Sequence, residues 1–209
     1  MTWHRLTRTW EALPQQIEQG EAPAGLSPAW RMLLMGDGAP TRHFQVVTGQ
    51  EIQIDLIEMK PMGEAIEAFP AEMVLIPGPR LRRQIWLRTA SGERLAYATS
   101  WWPVQDVDRS LENPLLPIWT SLSTKHTEFY RDLKGLYQGT NAELIKAFDH
   151  PGPFWGRHYL MWRDGAPFTL IYEVFSPAAE KYLGPTLSSK ELKTSEAVST
   201  QVVSVSFGS

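Results

Sequence analysis

Leu170-Ile171-Tyr172-Glu173-Val174-Phe175-Ser176-Pro177 is a strand-like run with one carboxylate in an otherwise largely apolar segment. A charge in such a place costs several kcal/mol unless a partner or a proton compensates it. Glu173 therefore has an internal cationic partner, or it faces a cavity where it meets a ligand. Its parity groups it with Ile171 and Phe175, while Leu170, Tyr172 and Val174 line the other side. Both faces read as covered.

Upstream, Trp155–Arg163, the turn Asp164-Gly165 and Phe168–Phe175 form a hairpin pattern. A two-residue turn sets Arg163 opposite Ala166, and unbroken pairing from there sets Glu173 opposite Gly156. A carboxylate opposite a glycine leaves room for a small ligand. The alternative is that Gly156 marks a bulge or a close-packing point.

A second hairpin spans Leu81–Arg88, Ser91-Gly92 and Leu95–Trp102. Its first strand divides into Arg82, Gln84, Trp86 and Arg88, the expected solvent side, and Arg83, Ile85 and Leu87, the expected inward side. Arg83 is thus a second inward charge, unless it lies at the strand's mouth and reaches water. Trp101 and Trp102 alternate faces, so at least one ring is core. Ile52, Ile54 and Leu56 alternate with polar neighbours as a further strand, preceded by a helix over Thr41–Thr48 that Gly49 stops.

Other segments carry weaker patterns. Residues 1–30 read as irregular with a short helix around Trp10–Gln19. Residues 104–150 read as mainly helical, with Asn141 as N-cap of Ala142–Phe148. Val202–Phe207 is a candidate edge strand in a Ser/Thr-rich tail. These elements predict an α+β protein: an antiparallel sheet with helices packed on one side, as one domain over 1–187, followed by a flexible tail over 188–209.

Composition narrows the function. The chain has 209 residues, 43% hydrophobic and 21% charged, as expected of a globular protein with a sizeable core. A net charge of -3 offers no footprint for nucleic acid or an anionic membrane. The absence of cysteine excludes disulfides, thiolate nucleophiles and cysteine-ligated metals. Without a signal-type N-terminus or an apolar run of membrane-spanning length, the expectation is a soluble, cytoplasmic chain, consistent with a monomer. Gly36-Asp37-Gly38 lacks the third glycine and the lysine of phosphate-binding turns, and histidines 4, 43, 126, 150 and 158 show no metal-ligand spacing.

Three blocks together resemble the chorismate lyase family, in particular its branch from cyanobacteria and algal plastids. The first runs from Leu33-Leu34 through Gly38-Ala39-Pro40-Thr41-Arg42-His43-Phe44 to Gly49 and the strand from Glu51 to Ile57. The second is Arg82-Arg83-Gln84-Ile85-Trp86-Leu87 with Ala96-Tyr97-Ala98-Thr99-Ser100-Trp101-Trp102-Pro103. The third is Phe154-Trp155-Gly156-Arg157 with Glu173-Val174-Phe175-Ser176-Pro177. The similarity covers about residues 30–185.

The resemblance implies a sheet of about six antiparallel strands around a small enclosed site. It implies conversion of chorismate to 4-hydroxybenzoate and pyruvate without a cofactor or metal, as a step toward quinones such as plastoquinone. Arg83 falls on the arginine that grips the ring carboxylate, and Glu173 on the acid that contacts the ring oxygen. Ile118, beside Pro117, falls on a backbone ligand contact but lacks that region's glycine pattern. Pro40 stands where better-known bacterial members have a ligand-contacting methionine. Two other readings are a non-catalytic binder of small aromatic acids on the same fold, and an interaction domain in which Arg83 and Glu173 form a structural pair.

Overall fold

The two hairpins build the centre of an antiparallel sheet. The computed structural model describes residues 3–21, 26–110 and 128–186. Its strands are β1 (Thr7–Ala12), β2 (Ile52–Gly63), β3 (Arg80–Thr89), β4 (Arg94–Pro103), β5 (Tyr130–Thr140), β6 (Phe154–Arg163) and β7 (Ala166–Phe175). They are ordered β1-β5-β6-β7-β4-β3-β2, and every neighbouring pair is antiparallel. The helices are α1 (Pro14–Gln16), α2 (Pro28–Met35), α3 (Pro40–Thr48), α4 (Val104–Ser110), α5 (Ala142–Phe148) and α6 (Glu180–Leu183). The fold is α+β, as the sequence pattern predicts, with seven strands rather than about six.

Local chemistry sets the helix boundaries. Ser27 caps α2 by accepting from the Trp30 N–H, and Pro28 opens the helix where its missing N–H costs nothing. Gly49 ends α3 at φ 66°, a left-handed conformation that a side chain resists. Asn141 caps α5 through the N–H groups of Glu143 and Leu144. Both of the last two match their sequence reading.

Several expectations fail. Residues 7–12, read as irregular chain leading into a helix around Trp10–Gln19, are strand β1 paired with β5, and the helical part of that segment is confined to Pro14–Gln16 and the following turn Ile17–Glu21. The stretch read as mainly helical contains β5, whose Gly139 lets β1 approach so closely that a Cβ there would strike the Thr7 carbonyl. The solvent side assigned to β3 is also covered, since Arg82, Gln84 and Trp86 are all buried. Residues before β1 close over it: Trp3 packs on Trp101 and Tyr172, and His4 on Trp86 and Tyr97. The candidate edge strand Val202–Phe207 and the tail over 188–209 lie outside the described residues, as does Ile118. Among the described residues, no helix is long and apolar enough to cross a membrane.

The register of the β6–β7 hairpin carries the main correction. Arg163 does face Ala166, and Trp162 faces Pro167, but the pairing then shifts so that Met161 faces Thr169. Pro167 has no N–H to give the ladder, and prolines within sheets concentrate at bulges and edges for that reason. From there on each partner moves by one, so Glu173 faces Arg157, and Gly156 faces Val174. The expected open space at Gly156 is absent. A Cβ there would stand 3.1 Å from both the Glu173 carbonyl oxygen and a Leu6 methyl. Gly156 is a close-packing point on the opposite face.

Candidate functional site

Two side-chain rows cross one face of the sheet. One runs Arg83, Ser100, Ile171, Tyr159; the next runs Ile85, Ala98, Glu173, Arg157. On β4 this face presents Ala96, Ala98 and Ser100, all small, so the centre of the sheet is hollow there. Pro40 and its neighbours at the start of α3 roof the hollow, and Ile54, Ile85, Leu87 and Met161 give it apolar walls. Arg83, Arg131, Tyr159 and Glu173 supply its polar groups. The space is about 60 Å³, where one water needs about 10–15 Å³ on a comparable measure. It suits a small organic molecule rather than a nucleotide.

Glu173, 5% exposed, is held from two sides. The Arg157 Nε–H donates to its Oε2 at 2.8 Å, and the Tyr159 hydroxyl donates to Oε1 at 2.9 Å. This is the internal cation that the sequence offered as one of two readings of Glu173, but it is Arg157 rather than Arg83. Arg157 is fully buried and does not line the cavity. Its other arm donates to the carbonyls of Leu33, Leu34 and Gly36 at 2.7, 3.0 and 3.4 Å. Those groups end α2, where helices leave carbonyls unsatisfied and where a cation is favoured. One guanidinium thus fixes the carboxylate and fastens α2 to the sheet.

Arg131 does the same for the following turn. Its Nη1 donates to the carbonyls of Asp37 and Gly38, and its guanidinium lies 4.6 Å from the centre of the Tyr159 ring. Gly36-Asp37-Gly38 therefore points carbonyls at arginines, the reverse of a phosphate-binding turn. A side chain at Gly38 would collide with the His43 ring. Burial, followed by the nearby Arg157 and Arg131 charges, pushes the His43 pKa down.

Arg83 is 1% exposed, and burial pulls its pKa down to about 10, so it remains cationic at neutral pH. Burial, followed by the charge of Glu173, pushes the Tyr159 hydroxyl well above its ordinary range. Tyr159 is therefore a neutral donor. Of the sequence-derived site residues, Arg83, Glu173 and Pro40 meet at this cavity, whereas Gly156 does not line it. Arg131 and Tyr159 were missed. Tyr159 shares strand parity with Arg157 and Met161, and so was open to the same reasoning as Glu173; Arg131 lay in the segment misread as helix. Among the described residues no three His, Asp or Glu side chains gather as metal ligands do.

An α+β domain whose antiparallel sheet holds a small cavity with cationic groups and one oriented carboxylate has the form of a small-ligand site. The family model described as "Chorismate pyruvate-lyase Rv2949c-like" matches residues 34–183, and the chain belongs to that family. A relative from Porphyra purpurea, "Uncharacterized protein ycf21", is 32% identical over 171 residues, covering 81% of this chain and 91% of its own. A ycf21 protein from Cyanophora paradoxa is 35% identical over 148 residues, covering 71% and 77%. Among solved structures, PhnF from Mycobacterium smegmatis matches with TM-score 0.53 at 15% identity, covering 69% of this chain and 66% of PhnF. The isolated PhnF effector domain matches with the same TM-score, 92% of it being covered. At that identity the likeness is one of fold.

Proposed function

We propose that this chain is a chorismate lyase, releasing pyruvate from chorismate to leave 4-hydroxybenzoate, a quinone precursor, and that it works in the cytoplasm or its organellar equivalent. The observation that carries the reading is the position of Glu173. Among the described residues it is the one carboxylate lining a largely apolar cavity, and it is oriented by Arg157 and Tyr159 with Arg83 two strands away. Membership of a family described by that activity supports it.

The chemistry asks little beyond placement. Chorismate carries a cyclohexadiene ring, and loss of the C4 proton with expulsion of enolpyruvate from C3 makes that ring aromatic. The driving force lies in the substrate, so orientation and charge placement remain for the protein. Arg83 suits the ring carboxylate because a planar guanidinium binds both oxygens. Glu173 already receives an N–H and an O–H, so toward a ligand it acts as an acceptor, either of the 4-hydroxyl or of the C4 proton. Pro40 and the α3 N-terminus cover the ring.

The test is to mix purified protein with chorismate and follow pyruvate. Release supports the lyase. A thermal shift with 4-hydroxybenzoate but no release supports a non-catalytic binder, the reading favoured by the shared fold of the PhnF effector domain. Neither response leaves a structural role for the cluster. In the active protein, Glu173→Gln should lower pyruvate release by about a thousandfold with the fold retained; near-normal turnover would remove Glu173 from the chemistry.

A further inference from the structure

The cavity has a second cation on the far side of Glu173. Counted across the sheet, Arg83 on β3 lies two strands to one side of β7, and Arg131 on β5 lies two strands to the other. With neighbouring strands about 4.8 Å apart, the strands that carry the two arginines lie about 19 Å apart. Both side chains line the cavity, and Glu173, on the strand midway between theirs, lines it too. Tyr159 ties the second cation to the carboxylate, since its hydroxyl donates to Glu173 while its ring lies under the Arg131 guanidinium. Arg131 is only 7% exposed, and its Nε is buried without a hydrogen-bond partner. The helix-turn carbonyls that Nη1 holds do not neutralise a full charge.

We propose that Arg131 binds a second carboxylate, making the cavity selective for a dicarboxylate: an aromatic-type ring acid with an acidic side chain beside its para oxygen. This rests on the lyase reading and extends it. The order cation, carboxylate, cation across the strands matches the order of groups on such a substrate. The ring carboxylate meets Arg83, the 4-hydroxyl meets Glu173, and the enolpyruvyl carboxylate attached at C3 reaches past the hydroxyl to Arg131. As the C3–O bond breaks, its electron pair leaves on the enolpyruvate oxygen, and the C4–H pair becomes the new ring double bond. The released C4 proton is balanced by the proton that enolpyruvate takes up at carbon to become pyruvate. A guanidinium on the departing group stabilises the charge that develops there and not in the product left behind.

Arg131 also clamps the turn before α3, so the test must separate ligand binding from packing. For Arg131→Met, kcat/KM for chorismate should fall by about a hundredfold, while inhibition by 4-hydroxybenzoate stays within about threefold of wild type. Arg83→Met should weaken both. Equal weakening of both ligands in Arg131→Met would reduce Arg131 to a packing role and overturn the proposal. A ligand-side measurement needs no variant at all. On the unmodified protein, 3-(carboxymethoxy)-4-hydroxybenzoate should bind at least about tenfold more tightly than its side-chain methyl ester; equal affinities overturn the proposal even if Arg131→Met fails to fold. If the unmodified protein binds 4-hydroxybenzoate and releases pyruvate but does not distinguish acid from ester, this inference alone fails. If it does neither, the lyase reading fails and takes this inference with it.

Discussion

The two faces of the central strands are built from the same hairpins and do opposite things. On one face β4 presents Ala96, Ala98 and Ser100, and the space above Ala98 and Ser100 stays open beside the start of α3. On the other it presents Tyr97, Thr99 and Trp101, and aromatic rings pack over them and beside them: Trp86 against Tyr97, Trp3 against Trp101, and Tyr137 against Tyr172. Both faces bury an arginine beside carboxylates. Arg82 on the filled face is shared between Glu58 and Glu67, both about one-fifth exposed, whereas Arg157 on the hollow face meets a carboxylate nearly without water. Strand parity thus lets one sheet carry a packed foundation and a cavity one residue apart. The filled face supplies rigidity, and the hollow face supplies a place where charge can act on a ligand.

The largest stability losses should come where each face is least able to relax. Arg157→Met leaves Glu173 buried without its cation and the end of α2 without its donor. Unfolding by urea should show a loss of about 3–5 kcal/mol. Adding Glu173→Leu should restore much of it, and failure of the double variant to recover would show that the α2 carbonyls dominate. On the filled face Trp101→Ala should cost about 3–5 kcal/mol with no dependence on ligand. A loss under about 1 kcal/mol there would mean that the filled face is the softer of the two.

Ala98→Leu should reverse that pattern. The cavity accepts the extra atoms, so the stability cost should stay below about 1–3 kcal/mol, yet the thermal shift produced by 4-hydroxybenzoate should vanish. An undiminished shift would place the ligand elsewhere.

The smallest effect is a pH dependence. Benzoate, which has no phenol to titrate, should bind with constant affinity up to about pH 9 and weaken as Arg83 loses its proton near pH 10. The sign for folding is the opposite. Because burial holds the Arg83 pKa below its unfolded value, its charge opposes folding at neutral pH, and that opposition is relieved as pH rises through about 10. Constant benzoate affinity through pH 11 would remove Arg83 from the carboxylate contact.

Much of this was legible in the chain. Period-two alternation placed Arg83 with Ile85 and Leu87, and Glu173 with Ile171, on what proved to be the cavity face. The energetic cost of a charge in an apolar strand called for a cationic partner or a cavity at Glu173, and the structure has both. The partner's identity was misread because register is cumulative: one bulge beside Pro167 moved every later pairing by a residue and exchanged Gly156 for Arg157. Pro167 itself was the available warning. β5 was misread because its Gly135 and Gly139 break the alternation, and each is glycine for a reason that only its neighbours show. At Gly135 a Cβ would crowd the Tyr137 hydroxyl, and at Gly139 it would meet the backbone of β1.

By itself the sequence determined the class of fold, the two hairpins and the parity that groups Arg83 and Glu173 with apolar neighbours, because alternation, turn residues and the cost of buried charge act over a few neighbouring residues. The tertiary structure alone decided that Arg157 neutralises Glu173, that Arg131 and Tyr159 join the site from β5 and β6, and that Ala98 and Ser100 on β4 open a cavity beside the start of α3. Those outcomes depend on which strands lie side by side and in what register, which no local pattern fixes.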